Sequence, residues 1–139
     1  DLKYEVAFGD SSNYEIRAEL GTVLYEDGIE IVLMENVLAI FEDESNKKLY
    51  VRSHNAKFNS NNYNTFFEGN IEIKYEDHII TSKKLDFNII DNNILIYDNV
   101  RYSKFDKKIE TDNIKIDIIT KNIEIFMNEL NDNVKISSF

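Results

Sequence analysis

The stretch Phe67-Glu68-Gly69-Asn70-Ile71-Glu72-Ile73-Lys74-Tyr75 decides the fold class. Apolar side chains and a glycine occupy its odd positions, and polar side chains occupy the even positions between them. An alternation with a period of two residues is typical of a β-strand that buries one face. Residues 96–102 repeat the pattern, and clusters of Asn and Asp between such stretches mark turns. No long stretch has the 3.6-residue period of a helix, so the sequence predicts an all-β protein.

Two series of residues recur along the chain and indicate an internal repeat. The first series consists of small residues at intervals of 35, 29 and 29 residues: Ala18, Ser53, Ser82 and Thr111. The second consists of an asparagine followed by a β-branched residue, at intervals of 34 and 29 residues: Asn36-Val37, Asn70-Ile71 and Asn99-Val100. Equal intervals of 29 residues in both series predict repeated strand pairs.

Next to each small residue of the repeat, the apolar residues that should face inward switch between odd and even positions of the strand, which we call a change of parity. Ser82 and the next inward apolar residue, Leu85, are three positions apart, and the same offset separates Ser53 from Ala56. A strand of period two keeps both residues on one face only if it bulges or bends between them. Bends at matching places in successive strands carry those strands from one sheet to another. We therefore predict a single domain over residues 1–139, in which two bent antiparallel sheets fold over a shared apolar interior.

Composition excludes several functions. The chain of 139 residues carries a net charge of −10, which argues against nucleic acid as a partner. Cysteine is absent, and His54 and His78 are the only histidines, so neither a disulfide nor a typical zinc site is expected. Both histidines are interpreted as ordinary polar residues at strand ends. The longest apolar run, Val37 to Phe41, has five residues, whereas a membrane-spanning helix needs roughly 20.

No catalytic constellation emerges from the motifs. The acidic cluster at residues 42–44 and the pair Glu76-Asp77 fall at predicted turns, where solvated carboxylates are common. The lysine pairs at 47–48, 83–84 and 107–108 are typical of protected sheet edges, and contact with lipid phosphates is the functional alternative. The sequence thus predicts a protein that is not an enzyme and that uses no metal or cofactor.

Inward-facing apolar residues form a large set that has two interpretations. They fill a closed core, or they line a slot for acyl chains between two sheets held apart, and composition does not separate the two. The predicted lining consists of Ile31, Leu33, Val37, Ala39, Phe41, Val51, Phe67, Ile71, Ile73, Ile80, Leu85, Phe87, Ile96 and Val100.

The order of five segments resembles the lipopolysaccharide-export bridge family, and most closely its LptC type. The resemblance covers residues 14–127 and rests on order and spacing more than on single residues. The segments are IRA at 16–18, IEIVLMENVLAIF at 29–41, VRSHNAKFN at 51–59, FEGNIEI at 67–73 and ITSKKLDFN at 80–88. The chain departs from the family pattern because it has no proline and because Asn128-Glu129 breaks the last copy of the repeat.

The resemblance implies an open β-jellyroll of two bent antiparallel sheets. It also implies a non-catalytic component of lipopolysaccharide transport and of outer-membrane biogenesis. Such a protein receives lipopolysaccharide from an inner-membrane ABC transporter and passes it along a hydrophobic slot to a soluble periplasmic bridge protein. It also implies a periplasmic location, with a membrane anchor expected upstream of Asp1. The repeat weakens after Met127, so the segment 122–127 is predicted to be the edge strand that pairs with the bridge protein. The residues of this predicted edge are Ile123, Glu124, Ile125, Phe126 and Met127.

Three alternatives remain open at this point. The soluble LptA type of the same pathway would share the fold and lack the anchor. A carbohydrate-binding β-solenoid would carry a polar or aromatic ladder on an outer face, and the outward column Glu68, Asn70, Glu72, Lys74 has mixed charge instead. A structural β-domain would have a filled core.

Overall fold

Ten β-strands make up the regular structure of the residues that are described. The computed structural model describes residues 1–8, 12–127 and 133–138, the last of these ranges for its backbone alone. The strands, in chain order, are β1 Leu2–Phe8, β2 Ser12–Glu26, β3 Ile29–Glu42, β4 Lys48–Asn59, β5 Thr65–Tyr75, β6 His78–Asn88, β7 Asn93–Lys104, β8 Lys107–Asp117, β9 Asn122–Phe126 and β10 Asn133–Ser138.

All ten strands belong to one antiparallel sheet in which every strand pairs with the next strand of the sequence. The sheet is open, because β1 and β10 lie at its two ends. The predicted all-β, open jellyroll-like fold is confirmed. The two sheets expected from the sequence are two layers of one hydrogen-bonded ladder that bends in the middle of its long strands.

The recurring asparagines are the residues at which β3, β5 and β7 bend. Asn36, Asn70 and Asn99 have positive φ angles of 56°, 45° and 61°. Asparagine is one of the few residues other than glycine that adopts this left-handed conformation readily. In β5, Gly69 also has a positive φ of 90°, and the register of β5 against β6 shifts at residues 69 and 70. The asparagine series of the repeat is therefore a series of bends, which coincide with bulges in β5 and β7, whereas the pairing of β3 continues in register past Asn36.

The small residues of the repeat complete the bend on the even-numbered strands. The Ser53 hydroxyl donates a hydrogen bond of 2.9 Å to the backbone carbonyl of Asn55, and Ser82 donates one of 3.1 Å to that of Lys84. These carbonyls lie where the ladder shifts its register, so the hydroxyl gives a backbone acceptor a partner at the bend. Both serines are buried, which leaves space there for a small side chain only.

The bend divides the sheet into two layers that face each other. Layer A consists of residues 2–8, 12–18, 37–42, 48–53, 71–75, 78–82, 100–104 and 107–111; layer B consists of residues 20–26, 29–35, 55–59, 65–68, 84–88, 93–97, 113–117, 122–126 and 133–138. Aromatic rings meet across the space between them. The ring centroids of Tyr14 and Phe87 are 4.7 Å apart, and those of Tyr4 and Phe58 are 5.1 Å apart. Each pair takes one ring from each layer, so the two layers enclose a common interior.

Candidate functional site: the interior and its mouth

The interior between the layers is apolar and filled. All the predicted lining residues except Leu33 are buried, and all of those except Ile31 belong to one apolar cluster. Ile123 and Ile125 of β9 also face inward. Side chains from the two layers contact one another directly, so the structure contains a packed core. A packed core is also the interpretation that the inward apolar residues favour when they are taken alone. Whether lipid enters this interior stays a prediction.

Leu33 is the exception, and its predicted inward position is wrong. Its side chain is 41% exposed on the outer face of layer B, while its neighbours Val32 and Met34 are buried. The error has a physical cause: the left-handed turn of the backbone at Asn36 shifts the inward parity of β3. The Asn36-Val37 pair of the repeat is the sequence signal that could have placed Val32 and Met34 correctly.

The interior has a mouth, which is the open side opposite the bend, where the turns of the two layers face each other. The turns on the layer B side are joined to one another through hydrogen bonds. The Ser60 amide donates to the Glu30 carbonyl at 3.0 Å, and the Ile118 amide donates to the Asn92 carbonyl at 2.8 Å. Layer B therefore has a rim of turns that support each other through backbone hydrogen bonds.

Tyr14 spans the mouth from layer A to layer B. Its hydroxyl donates a hydrogen bond of 2.8 Å to the Thr65 hydroxyl, which in turn donates to the Tyr63 carbonyl at 3.2 Å. Burial raises the pKa of Tyr14 above its ordinary value, and the hydrogen bond to Thr65 opposes that rise only in part. The phenol accordingly stays protonated and remains a hydrogen-bond donor at physiological pH.

A second polar contact spans the mouth farther along the rim. The Lys121 ammonium, in the β8–β9 turn of layer B, forms an ion pair with Asp43 Oδ2 in the β3–β4 turn of layer A. The Asp43 side chain is 7% exposed, and that of Lys121 is 22% exposed. Burial opposes ionisation of Asp43, but the contact with Lys121 and the backbone amides of Lys47 and Ser45 hold its pKa below the ordinary value.

The ion pair was missed by the sequence interpretation, which treated residues 42–44 as solvated turn acids. Asp43 is instead a buried carboxylate that accepts hydrogen bonds from the amides of Ser45 and Lys47 and from Lys121. No sequence signal links Asp43 to Lys121, since the two lie 78 positions apart. Only the folding of layer A over layer B brings them together.

Directly beneath the ion pair lies a small apolar cavity of about 20 Å³. Layer A supplies Phe41, Leu49 and Tyr75 to its wall, and layer B supplies Ile94, Ile116 and Ile118. A cavity of this size holds no acyl chain while the layers are in contact. Admission of a chain at this point would require the layers to part.

His78 is the first residue of β6, at a strand end as predicted, and its side chain is buried. Its Nδ1 lies 2.6 Å from the Tyr102 hydroxyl, and its ring stacks on Tyr75. Burial, with a smaller contribution from nearby Lys104, lowers the pKa of His78. His54, in contrast, lies inside β4 at the bend, where it contacts Asn70, so the strand-end interpretation is wrong for it. Within the described residues, no three His, Cys, Asp or Glu side chains form a group that could hold a metal ion.

The outer face of layer B carries a separate groove. Its volume is about 570 Å³, and Leu20, Leu33 and Phe66 are among the apolar residues of its lining. Residues 20–22 of β2 line it. They belong to the length of β2, residues 19–26, that extends beyond the end of β1, because β1 covers β2 only as far as Ala18. Leu20 and Tyr25 are strongly exposed on this uncovered length. The N-terminal end of the sheet therefore has a partly open edge.

At the C-terminal end, the predicted edge strand is wrong. Residues 122–126 form β9, which pairs with β8 on one side and with β10 on the other. The strand pattern was expected to end after Met127, but the backbone resumes as β10 at Asn133. The expected break at Asn128-Glu129 lies outside the described residues. The alternation of Val134 and Ile136 with polar neighbours is the signal that could have indicated this last strand.

Comparisons with protein-family models and with curated proteins find no match to this chain. In the part of the chain that the structure describes, there is no helix with the length and hydrophobicity needed to cross a membrane.

Proposed function

We propose that this chain is a non-catalytic carrier of lipopolysaccharide, of the LptC type, with the soluble LptA type of the same pathway as its alternative. The observation that carries the proposal is the apolar interior, which runs between two layers of one open, bent sheet. The acyl chains would occupy the interior, and the sugars and phosphates would remain outside. The resemblance in segment order supports the same proposal independently of the packing.

The way the layers meet supports a carrier. They share a backbone ladder only along the bend, and at the mouth they are joined by side chains such as Tyr14 and Thr65. Parting the layers there leaves the strand pairing within each layer intact. Each buried methylene of a guest chain contributes about 0.8 kcal/mol, so a few buried methylenes offset the loss of such side-chain contacts.

The proposal includes partners and a location. The protein would work in the periplasm, anchored to the inner membrane in the LptC type, and would take lipopolysaccharide from the permeases of an ABC transporter. The soluble bridge protein would pair with the C-terminal edge of the sheet, and that edge is the backbone of β10 rather than β9. Unpaired N–H and C=O groups on an edge strand are a template for a further strand.

Site-specific photo-crosslinking tests the lipid proposal. A benzophenone side chain at Phe41, Phe67, Ile71 or Phe87 should capture purified lipopolysaccharide, because these positions face the interior. The matched control is Glu72, which lies on the outer face of β5 between Ile71 and Ile73. Equal capture at the inward positions and at Glu72 would refute the proposal.

A structural β-domain is the second candidate, and the filled interior favours it. The cavity beneath the mouth measures about 20 Å³, and its wall brings side chains of both layers together. For such a domain, no position would capture lipopolysaccharide, while circular dichroism would show every labelled protein to be folded. That result would select the structural role over the carrier role.

A further inference from the structure

The Asp43–Lys121 ion pair joins two turns that are each complete without it. Asp43 uses Oδ1 within its own turn, where it accepts hydrogen bonds from the amides of Ser45 at 2.8 Å and Lys47 at 3.1 Å. Its other oxygen, Oδ2, contacts Lys121. The Lys121 amide donates to the Asp117 carbonyl at 2.7 Å and so closes the opposite turn. Breaking the ion pair therefore removes a contact between the layers and leaves both turns formed.

The position of the Asp43–Lys121 ion pair is the second observation that supports the inference. It lies over the apolar cavity at the mouth, and the cavity wall contains side chains from both layers. Lys121 keeps 22% of its side chain exposed, whereas Asp43 keeps 7%. A solute at the mouth can thus reach the side chain of Lys121 more readily than that of Asp43. An anionic group that binds the ammonium would take the place of Asp43 without disturbing the Oδ1 hydrogen bonds.

We infer that the Asp43–Lys121 pair is a latch over the mouth of the interior, and that the anionic headgroup of an amphiphile releases it by replacing Asp43 on Lys121. The apolar chain of the same molecule then passes between Phe41 and Leu49 of layer A and Ile116 of layer B. This inference rests on the proposed carrier function for the identity of the guest. The latch itself rests on the geometry of the two turns.

The first measurement detects the latch without any lipid. The chain contains no cysteine, so cysteines introduced at Glu44 and Thr120, on the two turns, can carry a pair of spin labels. Lys121→Met should broaden and lengthen the distance distribution between the labels. Lys48→Met is the matched control, because Lys48 makes an exposed 3.7 Å ion pair with Glu42 within layer A. An unchanged distribution in Lys121→Met would overturn the latch.

The second measurement tests the headgroup exchange with two probes that share a dodecyl chain, dodecyl phosphate and the uncharged dodecyl maltoside. Asp43→Asn keeps the turn acceptor and frees Lys121, so it should tighten the binding of both probes, on the order of fivefold. Lys121→Met should tighten only dodecyl maltoside, since it lacks the ammonium. Equal tightening of dodecyl phosphate by both variants would overturn the exchange.

The two measurements separate this inference from the carrier proposal. If the labels report opening in Lys121→Met but no protein binds either probe and lipopolysaccharide does not crosslink to the interior, the latch stands, and both the exchange and the carrier function fail. If lipopolysaccharide crosslinks to the interior but Lys121→Met leaves the label distances unchanged, the carrier function stands and the latch fails.

Discussion

The bend at Asn70 leads to a prediction about alanine and glycine substitutions in β5. Glycine should be the more stable replacement at Asn70, and alanine should be the more stable replacement at Glu72. Asn70 has a φ of 45°, whereas Glu72, two residues later in β5, is not in the left-handed region. For a side chain other than Gly, Asn or Asp, the left-handed conformation costs about 1–2 kcal/mol. Glycine avoids this penalty, but in an ordinary strand it is destabilising by about 0.5–1 kcal/mol relative to alanine.

We therefore expect the Asn70→Ala protein to be less stable than the Asn70→Gly protein by about 1 kcal/mol. Both variants lose the exposed contact between Asn70 and His54, so their difference isolates the backbone. At Glu72 the order should be opposite, with Glu72→Ala more stable than Glu72→Gly. For a domain of this size, a difference of about 1 kcal/mol corresponds to about 4 °C in the melting temperature.

Urea unfolding followed by circular dichroism gives the four free energies of unfolding. Asn36→Ala and Asn99→Ala should cost similar amounts, because the asparagines at those bends have φ angles of 56° and 61°. If alanine were the more stable replacement at Asn70, as it is expected to be at Glu72, the asparagine would not be required by its backbone conformation. The explanation of the repeat as a series of left-handed bends would then be wrong.

Two further predictions concern the interior and the latch. Phe67→Asp should abolish the cooperative thermal unfolding transition, because an unpaired buried carboxylate costs several kcal/mol, of the order of the stability of a small domain. Glu72→Lys should leave the transition nearly unchanged. If the protein tolerated both substitutions equally, the assignment of inner and outer faces in β5 would be wrong. The pKa of Asp43 is lower in the folded state than its unfolded value of 3.8. Ionised Asp43 therefore makes its whole contribution to the free energy of unfolding at a pH well above 3.8, and this contribution is lost as the pH falls through the folded pKa. The urea midpoint of the native protein should thus exceed that of Lys121→Met at pH 7, and the difference between the two midpoints should disappear towards pH 2. A difference that did not change with pH would show that the ion pair with Lys121 does not depend on ionisation of Asp43.

The predictions that succeeded from sequence alone were those that depend on local alternation. Residues 67–75 indicate a strand with one buried face, and the structure places Phe67, Ile71 and Ile73 inward. The prediction for Leu33 failed because one left-handed residue, Asn36, inverts the parity of the strand residues before it. The edge strand was misplaced because a strand's own residues do not specify how many neighbours it has. The second neighbour of β9 is β10, which lies beyond the next connection in the chain.

The sequence by itself determined the strands, the bends and the apolar interior. Period-two alternation fixes which side chains share a face, and the recurring asparagines and small residues fix where each strand turns, since few residues adopt a left-handed conformation or fit a buried bend. The tertiary structure alone decided which residues meet across the interior. Tyr14 and Thr65 are 51 positions apart, and Asp43 and Lys121 are 78 apart. Such contacts arise only after layer A folds over layer B, because burial of the shared apolar face, and not any local pattern, brings distant turns to one mouth.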